Sequence, residues 1–171
     1  LKPDYKEWKE FVDAILNPEH ELKIALVGKY AGLADSYVSM NEALRHAGAA
    51  CKAKVSIRYI EAEKFEQNPK DVESLKEFDG VFVPYGFGPR GTEGKIMTIK
   101  FARENNIPFL GICYGFQLAV IEFTRHVCGL EDASSTEINP DSPHLVIDLM
   151  PEQMGIKYKR SAIPLGVHKV I

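Results

Sequence analysis

Short runs of contiguous apolar residues alternate along this chain with longer stretches in which apolar residues recur every three or four positions. Trp8, Phe11, Val12 and Ile15 keep helical spacing and predict an opening helix, stopped by Asn17-Pro18. Lys23 to Gly28 then predicts a buried strand, since five of its six residues carry no charge. A helix is expected from Ser36 to Ala47, closed by Gly48. Val55 to Ile60 alternates with period two, as a strand with two different faces does. A polar helix near Val72 to Glu77 leads into a third strand, Gly80-Val81-Phe82-Val83, which breaks into a glycine loop from Tyr85 to Gly91. Thr92 to Glu104 predicts a helix, Pro108 to Ile112 a fourth strand, and Tyr114 to Val127 a further helix. Glu131 to His144 follows, a mostly polar segment with two prolines and no periodicity, and loops of that length are often functional. Leu145 to Leu149 returns to strand character.

Strands separated by helices at this spacing imply an α/β fold, a three-layer open sandwich with a mostly parallel central sheet covered on both faces. Ile107 to Phe123 contains one charge, Glu122, and is the only stretch that invites a membrane reading. It also contains Pro108, Gly111, Gly115 and Gln117, and it falls short of the roughly 20 residues a spanning helix needs. A buried strand followed by a buried helix is expected there instead. With 171 residues, 45% of them apolar and 26% charged, the chain fits one compact domain of ordinary composition. Its 21 Lys and Arg against 24 Asp and Glu leave a net charge of −3, without the basic excess that binding nucleic-acid phosphates requires. The three cysteines, Cys51, Cys113 and Cys128, have no CxxC spacing and exclude a disulfide scaffold or a zinc ribbon. Leu1 to Asn17 is too rich in Lys, Asp and Glu for a signal peptide, so the expected location is the cytoplasm, with no membrane partner.

Gly86, Gly88 and Gly91 spell GxGxxG after a strand and before a helix, the context of a dinucleotide-binding turn. Against that use, the loop is the third strand-to-helix connection, and Pro89 lacks the N–H a phosphate would take. About twenty residues on, the acid is Glu104 on a helix instead of one at a strand tip. A tight turn requiring positive φ and an oxyanion site built from backbone N–H groups remain as alternatives.

Gly111-Ile112-Cys113-Tyr114-Gly115 has the G-x-nucleophile-x-G form of a nucleophile elbow, with an apolar strand before it and a helix after it. The glycines allow a sharp turn, and a sulfur at a helix N-terminus sits in an environment that favours anions. Cys51 and Cys128 have no such setting and are expected to be small core residues.

The stretch from Gly111 to Gln117 resembles the nucleophile motif of class I glutamine amidotransferases, and the chain is similar to the glutaminase domains of the CTP synthase family. Collinear matches run from Ile24 to Tyr30, Asn41 to Gly48, Gly86 to Lys95, Leu118 to Phe123, Ser135 to Glu137 and Asp148 to Gln153. The resemblance implies a flavodoxin-like amidotransferase fold and hydrolysis of the L-glutamine amide through a cysteine thioester. It makes Cys113 the nucleophile. The N–H groups of Gly86 and Tyr114 become the oxyanion hole, and Gln117 and Glu137 become glutamine-holding residues, Glu137 facing the α-ammonium. The ammonia would pass to a synthetase domain that aminates UTP to CTP with ATP and Mg²⁺, in an oligomer, with GTP as allosteric effector. No cofactor or metal is expected on this chain. Residues 1–20 are expected to be a linker helix from a synthetase domain that is absent here, and 21–171 an amidotransferase domain incomplete after about 153.

Two positions depart from the family pattern. The family loop reads Pro-Gly-Gly-Phe-Gly, and Tyr85 replaces its first glycine, which is expected to bring a ring near the oxyanion site. The family's late His-Pro-Glu segment, whose histidine activates the cysteine, does not occur among the five histidines here. His20, His46, His126 and His144 are expected to be structural or solvated, and His168 lacks the following Pro-Glu. The alternatives are a catalytically inactive amidotransferase-like regulatory or assembly module and a nucleotide-binding flavodoxin-like domain.

Overall fold

The structure is a computed structural model that describes residues 4–32 and 34–150. The elements are α1 (Lys6–Leu16), β1 (His20–Gly28), a 3₁₀ turn (Ala34–Tyr37), α2 (Val38–Ala50), β2 (Ala53–Glu61) and α3 (Glu63–Gln67). A second 3₁₀ segment (Pro69–Glu77) precedes β3 (Gly80–Val83), α4 (Thr92–Glu104), β4 (Phe109–Gly111), α5 (Tyr114–His126), β5 (Ser134–Ser135) and β6 (Leu145–Ile147). The main sheet has the order β2-β1-β3-β4, all parallel. β5 and β6 form a small separate parallel pair.

The period-two alternation of β1 and β3 divides the core. Ala25, Val27, Val81 and Val83 face α3, α4 and α5, where they pack with Phe65, Ile96, Ile99, Leu118 and Ile121. Leu26 and Phe82 face the other way, toward Tyr37 and Met40 at the start of α2. A strand buried on both faces must be apolar at successive positions, which is why residues 24–27 of β1 and all of β3 read as unbroken apolar runs. α1 lies against α2 and the outer strand β2.

Several details differ from the expectations. Gly48 does not close α2 but lies inside it, buried, because a Cβ there would meet the Ala53 carbonyl at 2.6 Å. The segment before β3 is 3₁₀ instead of α, and the short α3 was not anticipated. The stretch around β4 and α5 is buried only in part. Leu118 and Ile121 lie in the core, whereas Leu110, Ile112, Phe116 and Phe123 are exposed. β4 is the last strand of the sheet among the described residues, and α5 packs by one face alone. No described helix is long and apolar enough to cross a membrane.

The sheet reverses its order between β1 and β3, from which connections run to opposite faces. Open parallel sheets bind ligands in the crevice at such a point, at the carboxyl ends of the strands. Here the loops after β1, β3 and β4 meet that end.

Candidate active site

Cys113 caps the N-terminus of α5 with φ 56° and ψ −112° and is exposed. A non-glycine residue with positive φ outside the left-handed helical region is strained, at a cost on the order of 1–3 kcal/mol, and such strain gathers at functional turns. Local bonds enforce it. The Ile112 N–H donates to the Val83 carbonyl at 3.1 Å, and the Gly115 N–H donates to the Ile112 carbonyl at 3.0 Å. A Cβ on Gly115 would lie 2.0 Å from the Val83 carbonyl oxygen, so only glycine lets the first turn of α5 sit this close to β3. The elbow expected from the sequence is present in its backbone form.

The glycine loop lies beside it. Gly86 has φ 130°, a conformation that L side chains rarely adopt, and it is buried. Among the described residues neither the Gly86 N–H nor the Tyr114 N–H donates to any protein acceptor. Buried backbone donors are nearly always paired, so these two free ones, one on the residue after Cys113 and one in the neighbouring glycine loop, are available to an anion. The Tyr114 side chain packs under the loop, its ring 5.0 Å from that of Phe87 and its hydroxyl 3.1 Å from Thr92 Oγ1. Burial raises the Tyr114 phenol above its ordinary value, and Glu137 and Glu93 add to this, while the Thr92 hydrogen bond opposes it.

Tyr85 does not crowd the donor pair. Its hydroxyl donates to the Ser36 carbonyl, and its ring lies 5.9 Å from that of Tyr37, in the core on the α2 face. Its φ is not positive, so the loop requires no glycine at this position.

Glu137 reaches the same loop, accepting the Gly88 N–H at Oε1 over 3.0 Å. The long polar segment is thereby tied to the glycine loop by the residue expected to hold the substrate ammonium. Gln117, half-buried on the first turn of α5, donates its N–H to the Cys113 carbonyl at 3.1 Å. Two side chains tie the loop down as well. Lys29 Nζ donates to the Phe87 carbonyl at 2.8 Å, and Arg90 bonds Glu63 and the Lys29 carbonyl. With the Gly88 N–H given to a carboxylate and Pro89 lacking one, two of the donors that a phosphate would use in this loop are withdrawn.

No described side chain hydrogen-bonds the Cys113 thiol. His46 packs edge-on against Phe11, and His126 Nδ1 lies 3.0 Å from the Glu122 carbonyl. His126 ends α5, about 20 Å from Cys113 by helical rise. His20 begins β1 at the end far from the site, and the His144 carbonyl accepts the Ser134 N–H. His168 and residues 151–153 of the last motif lie outside the described residues.

Two expectations about cysteines fail. Cys51 and Cys128 are exposed, since each occupies the turn just past a helix, α2 and α5 respectively, where core packing has ended.

The sequence reading missed Lys95. It is fully buried on the first turn of α4, with Nζ donating to the Gly86 carbonyl at 3.1 Å and lying 5.2 Å from the Tyr114 ring centroid. The signal was its spacing, since Lys95, Ile99 and Ala102 fall on one helical stripe that is otherwise core.

Against known protein families, residues 32–166 match glutamine amidotransferase class-I. The chain belongs to the class I glutamine amidotransferase family. Among curated relatives of this amidotransferase, the CTP synthase of Caldanaerobacter subterraneus subsp. tengcongensis is 55% identical over 165 residues, covering 96% of this chain and 30% of that protein. The CTP synthase of Methanopyrus kandleri is 50% identical, covering 99% of this chain and 32% of that protein. The chain therefore spans about a third of the length of these relatives. Among solved structures, the glutaminase domain of Trypanosoma brucei CTPS with bound acivicin is 39% identical, with a TM-score of 0.72 over 77% of this chain and 51% of that one. The α/β fold with a parallel central sheet is thus that of this family.

Proposed function

We propose that the chain is the glutaminase portion of a CTP synthase and that Cys113 is its nucleophile. The observation that carries this is the strained cysteine at the β4–α5 turn, flanked by the unpaired N–H groups of Gly86 and Tyr114. The relatives' names and identities supply the substrate class.

In this reading the Cys113 sulfur, as thiolate, attacks the side-chain amide carbon of L-glutamine. A carbon–sulfur bond forms, and the carbonyl electron pair moves onto oxygen, where the Gly86 and Tyr114 N–H groups stabilise it. Collapse of the tetrahedral species breaks the carbon–nitrogen bond. The proton taken from the thiol goes to the departing nitrogen, and ammonia leaves. Water then hydrolyses the γ-glutamyl thioester to glutamate and restores the thiol. Glu137 holds the substrate ammonium through its carboxylate, and Gln117 completes the glutamine contacts. None of the described residues is assigned as the proton acceptor, and a synthetase domain would use the ammonia, with ATP and Mg²⁺, to convert UTP to CTP, with GTP as effector. Residues 1–20 form the linker that leads from that synthetase domain. The working protein is a cytoplasmic oligomer.

Ammonia release from glutamine by the full-length protein tests the assignment. Cys113→Ser is expected to lower the rate by about 10³-fold or more, with the protein still folded. A variant that keeps the wild-type rate would sink the reading. The alternative reading is a regulatory or assembly module without activity. Wild-type full-length protein that binds glutamine yet releases no ammonia would establish it.

A further inference from the structure

Lys95 is a buried ammonium to which the amide-hydrolysis reading assigns no task. Among the described residues it has no ion-pair partner, and the charges nearest it, Lys29 and Arg90, are of its own sign. Burying a cation without a counter-charge is unfavourable. A methionine of similar length would fill the same stripe of α4 with Ile99 and Ala102 at no such cost, so packing does not explain a lysine here. Its contacts point to another purpose. One ammonium bonds the Gly86 carbonyl at 3.1 Å and lies over the Tyr114 ring at 5.2 Å, so it touches both residues whose N–H groups remain unpaired beside Cys113. Gly86, as a glycine at φ 130°, has a backbone that no side chain of its own restrains. The peptide before it is anchored through Tyr85 to Ser36, and the peptide after it through Lys95.

We infer that Lys95 is a positioning residue for amide hydrolysis. It fixes the Gly86 and Tyr114 donors in convergent orientation and lends its positive charge to the oxyanion that develops between them. The inference rests on the Cys113 reading above. The groups facing Lys95 are Lys29 from the loop after β1, Arg90 from the glycine loop and Tyr114 from α5. Burial, followed by repulsion from Lys29 and Arg90, holds the Lys95 ammonium down at about 8. Its charge is therefore present at pH 7 and disappears as the pH rises past that value.

Two electrophiles test this in the full-length protein. A chloroketone analogue of glutamine places its ketone oxygen where the oxyanion forms, and the sulfur then displaces chloride to give a thioether. Iodoacetamide alkylates the same sulfur with loss of iodide and needs no oxyanion donors. At pH 7, Lys95→Met is expected to slow chloroketone labelling of Cys113 by about tenfold or more while iodoacetamide labelling stays within about twofold. The wild-type-to-variant ratio for the chloroketone is expected to shrink as pH rises from 7 to about 9.5. Comparing the two proteins at each pH cancels titration of the reagent and of the thiol. Equal losses with both reagents, a chloroketone loss under about threefold, or a ratio that does not change with pH would each overturn the inference. Lys95→Gln, which keeps a donor and removes the charge, gives the same readout if the Met variant fails to fold. Wild-type Cys113 that the chloroketone does not label at all would instead overturn the parent reading.

Discussion

At the scale of single residues, the site keeps two unfavourable features side by side. Cys113 has a backbone conformation that an L-residue adopts only under constraint, and Lys95 holds a charge away from water. The second has a consequence for stability. The folded-state value for Lys95 lies near 8, below the ordinary 10.5. Between those two pH values the unfolded chain binds the proton and the folded chain does not, so stability rises with pH across the window. Below pH 8 both states are protonated and the burial penalty is at its full size. A shift of this extent corresponds to about 3 kcal/mol. The stability of the wild type relative to Lys95→Met is expected to improve by about that much between pH 7 and pH 10.5. Urea midpoints of the two proteins at matched pH measure it. A difference that is constant over the range would show that the ammonium is hydrated in the folded state.

At the scale of elements, α4 and α5 are joined by an ion pair as well as by apolar packing. Glu122, buried on α5, accepts Arg103 Nη2 at 2.8 Å and Nε at 3.2 Å, and His126 Nδ1 lies 3.3 Å from the same carboxylate. Removing one partner of a buried pair leaves an uncompensated charge, so Arg103→Leu is expected to destabilise the protein by about 3 kcal/mol. Glu122→Gln, which leaves no buried charge behind, should cost distinctly less. Thermal unfolding of both variants checks the order, and equal losses would mean that packing, not charge, joins the helices. The contact between β3 and α5 is stricter. Gly115→Ala would set a Cβ against the Val83 carbonyl at 2.0 Å, and the elbow must open to admit it. Loss of Cys113 reactivity and a lowered unfolding temperature are expected together.

Elements of this kind were legible in the chain where periodicity was strong. β3 and α4 have the limits expected for them, because Gly80 and Gly91 mark their starts. Gly48 misled as a helix stop, since a glycine that ends a helix and one that lets a strand approach it look alike in sequence. Lys95 was passed over for a related reason. A lysine on an apolar stripe is ordinarily an interruption, and only the third dimension shows which carbonyl it bonds.

At the scale of the molecule, the polarity of the parallel sheet sorts the three cysteines. Cys113 stands at the carboxyl end of β4, next to β3 and the glycine loop that follows it. Cys51 precedes β2, and Cys128 follows α5 after that helix has run back along the sheet, so both belong to the opposite end. The expectation that these two would be hidden in the core was mistaken, because a turn past a helix end is where core contacts stop. Burial therefore cannot confine labelling to one thiol. Only a reagent that uses the substrate contacts can do so. Iodoacetamide is expected to modify Cys51, Cys113 and Cys128 within about tenfold of one another, since all three are exposed. The chloroketone analogue of glutamine is expected to modify Cys113 alone at limiting reagent, and excess glutamine should slow that reaction without changing the other two. Peptide mapping after each treatment gives the answer. Chloroketone adducts spread evenly over the three cysteines would mean that the carboxyl end of the sheet recognises no glutamine-like ligand, and the donor pair beside Cys113 would then be a feature of the turn alone.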